Sequence, residues 1–195
     1  MNLPVNVMQI ISALELAGHE AFIVGGCVRD AARGVEPTDW DIATSALPER
    51  VKALFSRTFD TGIAHGTVTV LQDGQPFEVT TYRIDGEYLD ARRPETVTFA
   101  SEIEEDLSRR DFTINAVAYN PRRGFVDPFD GRGDISRGLI KCVGDAKKRF
   151  GEDALRMLRA VRFSAVLDFR VDDDAIFAIS ALRKNLANIS AERIR

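Results

Sequence analysis

The sequence predicts an α/β (α+β) domain followed by an all-helical one. Up to about residue 138, short apolar runs and a period-two hairpin alternate with brief helical signals. Beyond it, apolar residues recur at helical spacing and strand signals fade. These two observations put the boundary at 138/139, with a mixed domain over 1–138 and a helical one over 139–195. The second ends inside the helical pattern SAERIR and so reads as truncated.

Along the chain, Asn6 to Leu16 carries Val7, Ile10, Ile11 and Leu14 at helical spacing and stops before Gly18. Glu20 to Val24 (EAFIV) is short and apolar, the pattern of a buried strand. GGCVRDAARG then reads as a tight turn into a short helix closed by Gly34. Asp41 to Thr44 continues as a second strand, and Pro48 opens a helix to Phe55, because proline suits a first turn. Thr67 to Leu71 and Phe77 to Tyr82 alternate in period two around Asp73-Gly74, a hairpin. Ile84 to Ser108 is polar and charged, and a mobile loop is expected from about Asp85 to Thr98. Asn115 to Tyr119 is expected as a further strand, and Val126 to Asp134 (VDPFDGRGD) as turns. After Gly138, helical periodicity runs near 145–167, over 172–184 and from 190 onward.

Composition excludes several classes. With 195 residues, 45% hydrophobic and 29% charged, the chain is able to build a core and is not disordered. No apolar run approaches the roughly 18–20 residues of a membrane span. The N-terminal MNLPVNVMQIISALELAG has no basic residue ahead of its apolar part, so it does not read as a signal peptide. Cys27 and Cys142 form no metal or disulfide spacing and are expected as free thiols. A cytoplasmic location follows as the expectation. The net charge of -4 taken alone argues against a nucleic-acid partner. Yet Asp145 to Arg162 holds six basic and three acidic residues, so global charge does not decide the matter.

The chemistry begins at PTDWDIAT, where Asp39 and Asp41 flank Trp40. In an extended segment residues i and i+2 share a face, so the two carboxylates converge and need a counter-charge. A divalent cation is the usual one, and Mg²⁺ is typically held by one or two carboxylates plus substrate phosphates. The bland alternative is the solvated end of a strand. Context favours the first reading. Gly25-Gly26, followed by Arg29 at a helix start, offers backbone N–H groups and a guanidinium to a phosphate. Glu78, on the strand FEVTTY, either completes the metal site or sits on an ordinary solvated face; the residues leave both open.

The most informative element is EDALRMLRAVRF, Glu152 to Phe163. As one helix it has an apolar stripe of Ala154, Leu158, Val161 and Ala165, with Asp153, Arg156, Arg159 and Arg162 opposite. A solvated face with an Asp153–Arg156 ion pair would be worth only a few tenths of a kcal/mol. The other reading is base recognition. Aspartate only accepts hydrogen bonds and arginine only donates. Side by side they match a base edge with an amino donor beside a ring-nitrogen acceptor, as in cytosine and adenine. Uracil and guanine present a carbonyl to the aspartate and are refused without any template.

GGCVRDAARGVEPTDWDIAT, HGTVTV, FEVTTYR, EEDLSRRDFTINAVAYNP, VDPFDGRGDI and FGEDALRMLRAVRFSA, in this order, resemble the head and neck of class II tRNA nucleotidyltransferases and their poly(A) polymerase relatives. The resemblance covers nearly the whole chain from about Phe22. It implies a nucleotidyltransferase head with a small mixed sheet and flanking helices, then a helical neck. It implies Asp39 and Asp41 as catalytic, Mg²⁺-holding carboxylates. It implies Gly26, Arg29 and Arg110 as nucleotide contacts, Asp153 and Arg156 as the base-reading pair, and Arg159 and Arg162 as further nucleotide contacts. The substrates implied are CTP, ATP and the tRNA 3′ end, in a reaction that adds C and A and releases pyrophosphate, with no membrane involved. The length after Tyr82 and the element RRPETVTF resemble members that perform the A step. A poly(A) polymerase or an A-only enzyme is the neighbouring alternative. A non-catalytic nucleotide- or RNA-binding module is the alternative from another class, and the two intact aspartates speak against it.

Overall fold

The computed structural model describes residues 1–86, 96–190 and 194. Its strands are β1 (Ala21–Val24), β2 (Asp41–Thr44), β3 (Thr58–Gly62), β4 (Thr67–Gln72), β5 (Gln75–Thr81), β6 (Arg83–Asp85), β7 (Val97–Phe99), β8 (Ala118–Asn120), β9 (Gly124–Val126), β10 (Leu139–Ile140) and β11 (Arg170–Val171). A seven-stranded sheet in the order β3-β4-β5-β2-β1-β8-β9 forms the centre. β1 lies antiparallel to β2 and β8, while β2 and β5 run parallel. Register places Val24 opposite Asp41 and Ile42 opposite Val79, so the exit of β1 and the starts of β2 and β5 meet at one end of the sheet. The expected site residues Gly26 and Asp41 lie at that end.

Helices cover both faces of β1, which explains its unbroken apolar run. On one side Ile23, Ile42, Val68, Val70 and Val79 pack with Val7, Ile10, Ile11 and Leu14 of α1 (Val5–Leu16) and Val51 of α3 (Pro48–Leu54). Each such side chain contributes about 1.5–3 kcal/mol when fully buried. On the other side Phe22, Val24, Ala43, Tyr82 and Ala118 meet Ile103 and Leu107 of α4 (Ile103–Ser108). A third apolar cluster runs from Phe112 and Ile114, through Ile135 on α5 (Gly131–Arg137), to Ile140. It continues through Phe150 on α6 (Ala146–Glu152), Met157 and Ala160 on α7 (Leu155–Leu167), and Ala175 and Ala178 on α8 (Asp173–Leu182). This cluster crosses residue 138, as do the hydrogen bonds from Thr113 N to Lys141 O (2.9 Å) and from Val143 N to Asp111 O (3.1 Å).

Several expectations change. Asn115 to Tyr119 is not one strand: a 3₁₀ turn occupies Thr113–Asn115, and the strand begins at Ala118. The Asn115 side chain is engaged with Asp111 and Arg29, which draws that segment off the sheet. Within the expected turns, a helix, α5, starts at Gly131, because Asp127 accepts from the Gly131 and Arg132 N–H groups at 2.6 and 3.0 Å. A Cβ on Gly131 would stand 2.2 Å from the Thr113 carbonyl oxygen, so only glycine permits this approach. β3 gave no sequence signal; it is an exposed edge strand with a bulge between Phe59 and Gly62. The second half is helical except for β10 and β11, which pair in parallel. The expected loop lies partly, and the helix from 190 largely, outside the described residues. Both cysteines are buried free thiols, pushed up by burial to about 11 at Cys27 and about 12 at Cys142.

Candidate active site

β1 ends in Gly25, at φ 76° and ψ -131°, and α2 (Gly26–Ala32) starts immediately after it. A Cβ at Gly25 would lie 3.1 Å from Arg110 Nη1 and 4.0 Å from Asp41 Oδ2. The turn therefore holds bare backbone against an arginine and a catalytic-type carboxylate. Arg29, one turn into α2, donates from Nη1 to Asn115 Oδ1 at 2.8 Å and from Nε and Nη2 to Asp30, both at 2.9 Å. Its guanidinium lies over the Phe163 ring, 5.3 Å from the centroid, and that of Arg159 lies 5.0 Å from it. Arg159 Nε donates to Asp111 Oδ2 at 2.7 Å. Burial alone would raise the Asp111 carboxyl, but Arg159, Asn115 and the Phe112 N–H outweigh it and hold the group below its ordinary value.

These groups line a cleft of about 460 Å³ together with Gly25, Gly26, Asp41, Arg110, Asp153 and Arg156. Asp41 also borders a second recess of about 820 Å³, which holds Asp39, Trp40, Phe77 and Glu78. β2 starts at Asp41, so Asp39 precedes the strand. The Asp41 carboxyl is raised first by loss of water, then by Glu78; Arg110 opposes the rise and Asp39 adds to it. Asp39, Asp41 and Glu78 thus border one recess. Among the described residues no group of three His, Cys, Asp or Glu side chains has metal-holding geometry. A crowded pair of oxygen donors without a full cage is what a Mg²⁺ shared with substrate phosphates requires.

The base-reading pair needs correction in form. Glu152 to Phe163 is not one helix. α6 ends at Glu152, Asp153 is extended (φ -138°, ψ 108°), and α7 begins at Leu155. Asp153 Oδ1 accepts from Leu155 N at 3.0 Å, an i to i+2 turn that separates the end of α6 from the start of α7. Arg156 is 8% exposed, not solvated. Its Nη1 donates to Glu152 Oε2 (2.6 Å) and Arg149 O (3.2 Å), and its Nη2 to Arg109 O (3.1 Å). The buried side of α7 is Arg156, Met157, Ala160 and Leu167, the last three packed in the third apolar cluster, while Val161 of the expected stripe is 58% exposed.

Of the residues singled out from sequence, Gly26, Arg29, Asp41, Arg110, Asp153, Arg156 and Arg159 meet in the first cleft, and Asp39 lies in the adjoining recess. Arg162 does not join them: it is exposed and lines neither space. It follows Arg159 by three residues but lies off the part of α7 that meets the cleft. Asp111, Asn115 and Phe163 were missed. The first two sit in the quoted RRDFTINA and the third ends the quoted helix, but nothing in spacing shows that they face the cleft.

The family model for the poly A polymerase head domain matches residues 21–141. The chain belongs to that family. It is 53% identical over 191 residues to a CCA-adding enzyme of Leuconostoc mesenteroides subsp. mesenteroides, a match covering 98% of this chain and 48% of the relative. It is also 53% identical over 188 residues to a CCA-adding enzyme of Lactobacillus delbrueckii subsp. bulgaricus, covering 96% and 48%. The solved Bacillus stearothermophilus CCA-adding enzyme in complex with CTP superposes with a TM-score of 0.91 at 47% identity, over 100% of this chain and 47% of that one. The chain thus spans about half the length of the relatives it matches. As a family member it is a nucleotidyltransferase by fold, with the mixed sheet and flanking helices of that head. No helix among the described residues is long and apolar enough to cross a membrane.

Proposed function

We propose that this chain is the catalytic half of a template-independent tRNA nucleotidyltransferase that adds C and A to tRNA 3′ ends from CTP and ATP. Residues 1–138 form its head and 139–195 its helical neck. One observation carries the reading: Asp153 and Arg156 line the same cleft as Gly26, Arg29, Arg110 and Asp41. A base-reading pair, phosphate-binding groups and a carboxylate in one space are the parts such a transfer needs. The CCA-adding relatives at 53% identity support it. A cytoplasmic location is proposed with it.

In the reaction the tRNA 3′-hydroxyl oxygen bonds to the nucleotide α-phosphorus, the bond from α-phosphorus to the β-phosphate oxygen breaks, and pyrophosphate leaves. Arg29 and Arg110 bind the phosphates, and Asp153 with Arg156 selects the base by its amino and ring-nitrogen edge. In-line attack demands that the hydroxyl arrive opposite the leaving group. With the phosphates in the first cleft, the recess of Asp39 and Glu78 beyond Asp41 receives the acceptor end. Asp39 and Asp41 would hold a Mg²⁺, which would neutralise charge on the phosphates and lower the pKa of the attacking hydroxyl.

The test is incorporation of labelled CTP, ATP, UTP and GTP by the full-length enzyme into tRNAs lacking CCA, CA or A. Ordered addition of C, C and A with no use of UTP or GTP is expected. Incorporation of long AMP runs would move the assignment to a poly(A) polymerase. Equal use of all four nucleotides, or of none, would overturn the reading.

A further inference from the structure

Asp106, on α4, is fully buried, and its carboxylate is shared between two consecutive arginines. Oδ1 accepts from Arg109 Nε (3.0 Å) and Nη2 (2.7 Å), and Oδ2 accepts from Arg110 Nη2 (2.9 Å). The Arg83 backbone N–H also points at Oδ1, at 3.4 Å. Arg109 reaches on to Asp85, with Nη1 at 3.7 Å from Oδ2.

The two arginines lead to different neighbours in the cleft, Arg110 to the Gly25 turn and Arg109 to Arg156. Arg110 has given one amino group to Asp106. Its Nη1 stands beside the Gly25 turn, and its Nε is buried without a partner among the described residues. Arg109 contributes its backbone: its carbonyl accepts from Arg156 Nη2 (3.1 Å) and from Arg149 Nη1 (3.4 Å). A single carboxylate therefore sets the direction of the arginine at the phosphate end and anchors the strut under the arginine at the base end.

We infer that Asp106 is a positioning residue for nucleotide binding, aiming Arg110 at the phosphates and, through Arg109, fixing the seat of Arg156. The inference rests on the reading of the cleft as a nucleotide site. The rival is that Asp106 only ties α4 to its surroundings. The two differ in what is lost. Charge-assisted hydrogen bonds are direction-dependent and strong. Without the carboxylate, Arg110 keeps its charge and loses its direction, so triphosphate binding falls while acceptor binding does not.

The experiment uses the full-length enzyme and measures, by calorimetry, the Kd of CTP, ATP and inorganic tripolyphosphate. The proteins are wild type, Asp106→Asn, Asp106→Glu, Arg110→Ala and Asp106→Asn/Arg110→Ala, each at a temperature where it melts as a folded protein. Asp106→Asn is expected to raise all three Kd values roughly 10- to 100-fold, the size of a lost charged hydrogen bond. KM for the tRNA acceptor should stay within about twofold of wild type, the sensitivity of the comparison. In the Arg110→Ala background the same change should weaken tripolyphosphate by less than about threefold, because the two residues act as a unit. If Asp106→Asn fails to fold, Asp106→Glu carries the test: it keeps the charge, shifts it by one methylene, and should raise the tripolyphosphate Kd at least about threefold with acceptor KM unchanged. Losses that simply add in the double variant, or an unchanged tripolyphosphate Kd in a variant that folds, overturn the inference alone. A wild type that does not bind CTP overturns the nucleotide reading of the cleft, and the inference with it.

Discussion

Asp41 is exposed at the start of β2, yet its carboxyl is shifted above its ordinary value by partial loss of water and by the charges of Glu78 and Asp39, with Arg110 pulling the other way. A carboxyl raised in the folded state costs stability once ionised, and that cost is relieved as pH falls through the folded value. Asp41→Asn removes the charge and keeps the shape. It is expected to melt no lower than the parent at neutral pH while abolishing nucleotide transfer, as thermal melts beside an incorporation assay will show. For base selection, Asp153→Ala is the informative change. Arg156→Ala would also take one of two arginine partners from Glu152 and from the Arg109 carbonyl, leaving each to Arg149, so stability and recognition would change together. Asp153→Ala removes the acceptor together with its bond from Leu155 N and leaves the Arg156 contacts to Glu152 and Arg109 in place. Use of CTP and ATP should fall and their advantage over UTP and GTP should narrow. Rejection by a site built to hydrogen-bond a missing group is typically on the order of 10⁴-fold. An unchanged kcat/KM profile across the four nucleotides would remove Asp153 from base reading.

At the scale of elements, the turn from β1 into α2 constrains the cleft directly. Gly25 occupies a backbone region open to glycine almost alone, and a side chain there meets Arg110. Gly25→Ala is expected to cost about 1–3 kcal/mol and to raise nucleotide KM by displacing Arg110, measured by urea unfolding and steady-state kinetics. The paired glycines were legible in the sequence as a tight turn ahead of a helix. Which glycine is compelled was not: Gly26 begins a helix with ordinary space around it. The hairpin of β4 and β5 was equally legible, since its alternation and its Asp73-Gly74 turn are local signals. The break at Asp153 was hidden, because one aspartate can decorate a helix or start a new one, and only its bond to Leu155 N decides.

At the scale of the molecule, Phe112 is the joint between the two halves. It is fully buried, pairs with Cys142 across an isolated bridge, and meets Phe163 edge-on, with ring centroids 5.9 Å apart. Phe112→Ala is expected to cost about 3–5 kcal/mol. Because the cluster spans both halves, circular dichroism and tryptophan fluorescence should report one coincident unfolding transition rather than two. Acid should expose a second property of the whole. Asp106 and Asp111 both lie below their ordinary values; burial raises each, and Arg110 with Arg109 at the first and Arg159 at the second overcome it. A depressed folded value means stability that is present above the unfolded carboxyl pKa, about 3.9, and is lost as pH falls below it through the folded value. Urea unfolding from pH 7 to pH 3 should show ΔG level near neutrality and falling steeply below about pH 4.

By itself the sequence determined the elements whose cause is local. Apolar period set α1, β1, β4 and β5, glycine and proline set turns and helix starts, and the residue types of Asp39, Asp41, Arg29, Asp153 and Arg156 set the chemistry. Tertiary structure alone decided which of those residues share a space. The break at Asp153 and the packing of Met157 and Ala160 against the third apolar cluster set the face of α7, with Arg159 and Phe163 at the cleft and Arg162 outside it. Asp106, Asp111 and Asn115 gained their places from partners distant in sequence or brought near only by folding, such as Arg159 for Asp111 and Arg29 for Asn115. The physical reason is range. Periodicity and turn preference act over a few residues, whereas a buried charge is placed by whatever opposite charge the fold delivers to it.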